Sequence, residues 1–80
     1  MLVKIESSYR SSFEVYCVGG ENTIGYIRNV IVNHCIPGLK INSFQLCYQG
    51  RILRDSDTLN GSGIKDRDTI RLTLSYHTGI

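Results

Sequence analysis

The sequence predicts an α+β fold: one helix packed on a mixed five-stranded sheet. Two observations carry most of this. Residues 2–6 and 69–74, at the two ends of the chain, alternate apolar and polar as half-buried strands do. Between them, from Ile24, the apolar spacing changes to that of a helix and then reverts to short extended runs. A chain of 80 residues is one small domain, spanning 1–80. It buries only roughly 60–65% of its unfolded surface, so helix and sheet must share a single core.

The elements follow in order. In "LVKIE" (2–6), Val3 and Ile5 share a face. "SSYRSS" is a polar turn, and in "FEVYCV" (13–18) Phe13, Val15 and Cys17 share a face. Two alternating runs joined by a short polar turn make an antiparallel hairpin. "GG" at 19–20 ends it. Ile24, Ile27, Ile31 and Cys35 then form one helical stripe, with Asn22 or Thr23 as N-cap and with Pro37 and Gly38 as the stop. Many of the helix residues are β-branched, so packing rather than propensity must hold it. "FQLCY" (44–48) is a third strand, "QG" a tight turn, and "RILR" (51–54) a short fourth strand. "DSDTLNGSGIKDRD" is a turn-rich crossing anchored by Leu59 and Ile64. "TIRLTL" (69–74) ends the set, with Ile70, Leu72 and Leu74 inward and Arg71, Thr73 and Ser75 outward. The apolar stripe of the helix has only the sheet to meet. A right-handed crossover makes strand three or strand five parallel to strand one.

Composition narrows the function. A net charge of +2 with pI near 8.5 does not describe a dedicated nucleic-acid binder. No apolar run reaches the roughly 18 residues of a membrane span, and the N-terminus reads as a strand rather than a signal peptide. Cys17, Cys35 and Cys47 are an odd set without a close pair. They read as reduced thiols of a cytoplasmic or nuclear protein, not as a disulfide framework or a zinc site. His34 and Cys35 adjoin, but neighbours on a helix point about 100° apart, which does not make a hydrogen-bonded dyad. Asp55, Asp57, Asp66 and Asp68 are turn formers, and His77 lies in the tail. No active site, cofactor or metal is expected.

Several stretches carry a resemblance: the initial Met with "LVKI", "TIGYIRNVI" opening the helix, "IPG" after it, then "FQLCYQGRILRDSDTL" and "GIKDRDTIRLTL". Together they resemble ubiquitin-like proteins over essentially the whole chain, which implies the β-grasp fold. The resemblance further implies that Arg28 on the helix meets Asp55. It also implies that "NGSG" (60–63), replacing a bulkier family loop, is looser here.

The family's apolar docking patch maps onto Tyr9 or Ser8, Cys47, Arg71 and Thr73, so most of its apolar character is gone. Arg51, Arg71 and Arg54 gather there by the same mapping. The implied binding surface is therefore Tyr9, Cys47, Arg51, Arg71 and Thr73, facing other proteins that carry acidic residues. The outer side of the helix, with Tyr26, Asn29 and Asn33, is a second candidate surface. Conjugated family members end in Gly-Gly, whereas this chain reads Thr78-Gly79-Ile80, and Arg51 and Asp66 stand where the family has chain-building lysines. The expectation is a monomeric, non-conjugated interaction module of the ubiquitin pathway, with no small-molecule substrate, membrane or nucleic acid as partner. The alternative is a covalent modifier processed after Gly79. An RNA-binding role for Arg51, Arg54 and Arg71 stands third.

Overall fold

The structure is a computed structural model and describes residues 1–7 and 11–75. Strands β1 (Leu2–Ser7) and β2 (Phe13–Tyr16) pair antiparallel, with Val3 opposite Val15 and Ile5 opposite Phe13. The inward positions are those the alternation marks: Val3, Ile5, Val15 and Cys17 are buried. β2 stops at Tyr16, and Val18, expected to close that strand, is 85% exposed.

Helix α1 (Ile24–Val30) is capped by Thr23, whose hydroxyl oxygen accepts from the Tyr26 N–H at 3.1 Å. The crossing segment closes on its first turn. The N–H groups of Ile24 and Gly25 donate to the carbonyls of Asp57 (2.8 Å) and Asp55 (3.0 Å). That approach suits glycine at 25, since a Cβ there would sit 3.3 Å from the Asp55 carbonyl oxygen, a tight contact that the crossing segment would have to ease by a few tenths of an ångström.

The expected single helical stripe is broken at its end. Residues Ile31–Cys35 form a π turn, in which the Ile36 N–H reaches back five residues to the Ile31 carbonyl at 2.8 Å. The wider turn carries Ile36, not Cys35, beneath Ile31. Ile36 is buried and Cys35 is only partly buried, which corrects the expectation that Cys35 continues the core stripe.

Strands β3 (Phe44–Tyr48), β4 (Arg51–Ile52) and β5 (Thr69–Leu74) complete one sheet in the order β2-β1-β5-β3-β4. Of the two candidates, β5 is the strand parallel to β1, and β3 runs antiparallel to β5. The β3–β4 turn has φ of 51° at Gln49 and 81° at Gly50, the paired left-handed conformation that lets a two-residue turn follow strand twist.

Arg28 meets Asp55 as expected, Nε to Oδ1 at 2.9 Å. Its Nη1 also donates to the carbonyls of Ile41 (2.9 Å) and Phe44 (2.7 Å), and its Cζ lies 4.7 Å from the centroid of the Phe44 ring. The arginine thus fastens the helix to the chain entering β3. Residues 60–63, expected to be loose, are pinned on both sides. The Asn60 N–H donates to the Gly20 carbonyl (2.9 Å), and Arg51 Nη2 donates to the Ser62 carbonyl (3.0 Å). The Tyr48 hydroxyl lies 3.3 Å from the Gly63 carbonyl and 2.6 Å from Asp68 Oδ2. Its one proton goes to the shorter, charge-assisted contact.

Candidate protein-docking face

Side chains on a strand alternate faces. With Ile5, Leu46, Ile70 and Leu72 inward and buried, their neighbours form the outward face. Register then sets a row across four strands. Glu6 is opposite Arg71, Arg71 opposite Cys47, and Cys47 opposite Ile52. One step along, Thr73 faces Gln45. The structure therefore brings Cys47, Arg71 and Thr73 together, as the sequence reading requires.

One member of the expected surface, Arg51, stands elsewhere. Tyr9 lies outside the described residues, as does Gly79. Arg51 is opposite Tyr48, an inward residue, and its guanidinium turns to the Ser62 carbonyl instead of joining Arg71. Arg54 is exposed beyond Leu53, at the β4 end of the same sheet.

The sequence reading missed Ile52, which is 61% exposed beside Cys47. The signal was present: a two-residue turn at Gln49-Gly50 pairs 48 with 51 and 47 with 52, so Ile52 must share the Cys47 face. It also missed Glu6, whose Oε1 lies 4.0 Å from Arg71 Nη1. Both side chains are about half exposed, so this pair holds the guanidinium in place with little net stabilisation. The face is thus an apolar spot, Cys47 and Ile52, flanked by Arg71 and Glu6. On the second candidate surface, Tyr26 is 40% exposed, while Asn29 turns its amide back to the Gly25 carbonyl at 3.0 Å.

The thiols differ in setting. Burial pushes the Cys17 and Cys35 thiols up from their ordinary range, which keeps them protonated and weakly nucleophilic. His34 and Cys35 line one depression of about 610 Å³ together with Ser11, Ser12 and Phe13. No hydrogen bond joins the two. Among the described residues no three His, Cys, Asp or Glu side chains come together as metal ligands, and no helix is long and apolar enough to cross a membrane.

No curated protein matches the chain in sequence. Among solved structures it is similar to the UBL domain of Plasmodium falciparum Dsk2. The TM-score is 0.80 at 20% identity, over 94% of this chain and 97% of that one. At that identity the likeness is one of fold. The sequence itself matches the model of the ubiquitin family over residues 3–76, and the chain therefore belongs to the ubiquitin family.

Proposed function

We propose that this ubiquitin-family chain is a non-catalytic docking module of the cytosol or nucleus. It binds partner proteins without covalent attachment, through the outward face of β3, β4 and β5. The observation that carries this reading is the row Arg71–Cys47–Ile52: an exposed apolar side chain beside a cation, on rigid strands. Interface energy concentrates in desolvated apolar anchors, and flanking charge selects the partner. Ile52 and Cys47 supply the anchor. Arg71 and Arg54 favour a partner with acidic residues beside its own apolar contact, and Thr73 extends the surface. Arg51 acts at the rim.

The test is an affinity pull-down from the native host with the parent chain, Ile52→Asp and Arg71→Glu. Proteins retained by the parent and lost from both variants, with circular dichroism unchanged, are the expected result. An identical set of captured proteins on all three baits would refute the surface. Non-covalent action has its own test. A ladder of conjugates in cell extracts that disappears on deleting residues 78–80 would establish the modifier reading instead.

A further inference from the structure

We propose that the outward face of the first hairpin is a self-association surface, on which a second copy of the chain seats face to face. Alternation makes this face. With Val3, Ile5, Val15 and Cys17 buried, Leu2, Lys4, Glu14 and Tyr16 stand on the opposite side of β1 and β2. Tyr16 is 70% exposed, and Val18 just beyond it 85%; no other large apolar side chains among the described residues are as exposed. Register sets the face in two rows, with Leu2 opposite Tyr16 and Lys4 opposite Glu14. Lys4 and Glu14 are both exposed. Among the described residues neither joins an ion pair, although each is the other's cross-strand neighbour.

A two-fold dimer needs a self-complementary surface, because every contact occurs twice with the roles exchanged. The two rows meet that condition for one axis. Let the two-fold lie between the facing sheets, parallel to the strands and midway between β1 and β2. β1 of one copy then lies over β2 of the other, and each side chain faces its own cross-strand neighbour as carried by the second copy. Lys4 faces Glu14 of the second copy, and Glu14 faces its Lys4. Leu2 faces Tyr16 of the second copy, and Tyr16 faces its Leu2. Both charge contacts are attractive, and both apolar contacts set an aliphatic side chain on an aromatic ring. An unrelated partner would have to carry a cation and an anion beside an apolar pair at this same strand spacing. The chain itself carries them.

The overlap covers β1 and β2 alone. In the order β2-β1-β5-β3-β4 the remaining strands extend away from it, so Cys47, Ile52 and Arg71 stay uncovered on both copies. A contact two strands wide falls below the roughly 1,200 Å² of stable interfaces, so the dimer is weak and forms as concentration rises. The monomer expected from the sequence is then the dilute state. The dimer stands whether or not the β3–β5 face docks partners, but its use rests on that reading. Two docking faces on one particle let a partner with two recognition segments bind by both, the second at high effective concentration.

The test is sedimentation velocity of the full chain from about 20 μM to about 1 mM, the range in which weak contacts titrate. The average mass is expected to rise from monomer toward dimer. Lys4→Glu and Glu14→Lys each turn two attractive contacts into two repulsive ones, and each should raise Kd on the order of tenfold. Mixed in equal amounts, the two variants should associate as the parent does. The introduced glutamate then faces the introduced lysine, and a native Lys4–Glu14 contact forms beside it. Tyr16→Ser removes the ring from both apolar contacts and should also weaken the dimer about tenfold. Circular dichroism checks folding, and should a charge variant not fold, Tyr16→Ser decides alone. A parent chain still monomeric at about 1 mM overturns the proposal. So does a mixture of the folded charge variants that fails to associate. A dimer that survives Tyr16→Ser but is lost in Ile52→Asp overturns it as well, because the contact is then the other face.

Discussion

Replacing Arg28 by methionine keeps a long apolar stem and deletes the guanidinium. That guanidinium bonds the Phe44 carbonyl in a buried setting and the Ile41 carbonyl in a partly buried one, and it pairs with Asp55. A buried acceptor left unpaired costs about 1–3 kcal/mol. The Phe44 carbonyl carries that in full and the Ile41 carbonyl, nearer water, in part. The ion pair contributes less, since the Asp55 side chain is 62% exposed against 11% for Arg28. Arg28→Met is therefore expected to cost about 3 kcal/mol, or roughly 12–24 °C in Tm for a chain of this size. Asp55→Ala should cost under about 1 kcal/mol. The guanidinium keeps its bonds to the Phe44 and Ile41 carbonyls, and the Asp55 backbone carbonyl keeps its bond from Gly25. Urea unfolding followed by circular dichroism measures both. Equal losses for the two variants would refute the reasoning, since the ion pair and not the carbonyls would then hold the helix to β3.

Three further outcomes are expected. Arg71→Glu sets two carboxylates side by side with Glu6 on an exposed face, so it should cost under about 1 kcal/mol by thermal melt while changing partner capture. A large loss of stability would place residue 71 in the core and the register in error. Tyr48→Phe tests the hydroxyl that holds the Asp68 carboxyl below its ordinary range, helped by the Lys65 N–H, and that raises the Tyr48 phenol. A depressed carboxyl stabilises the fold above its unfolded pKa and loses that contribution as pH falls through the folded one. The variant should therefore unfold at a higher pH on acid titration. It should also lack the stability that the parent loses as pH rises through the raised phenol pKa, above about 10. Gln49→Asn eases the left-handed backbone at residue 49 and should raise Tm by roughly 2–4 °C, for a gain of about 0.5 kcal/mol.

Much of the fold was legible because strand alternation is a local property that tertiary packing reinforces. Val3, Ile5, Ile70 and Leu72 are inward as their spacing requires. The exchange of Cys35 for Ile36 was not legible, since helical spacing assumes a constant turn and the five-residue bond at Ile31 changes it. The docking face divided in the same way. Arg71 and Thr73 came from strand alternation together with the family likeness and Cys47 from the likeness, and register brings the three together. Arg51 was assigned by likeness alone, and its pairing with Tyr48 takes it toward residue 62. Ile52 needed the hairpin register, which the Gln49-Gly50 turn already encodes.

The middle of the sheet joins residues 4–7 to residues 69–72. A growing polypeptide therefore carries its first hairpin with an uncovered flank until β5 has been made, and assembly of the sheet waits on that strand emerging. Fragments ending short of that strand should be substrates for chaperones and proteases, not miniature versions of the protein. Splitting the molecule anywhere between its two central strands should give halves that are unstructured apart and recover structure only when mixed.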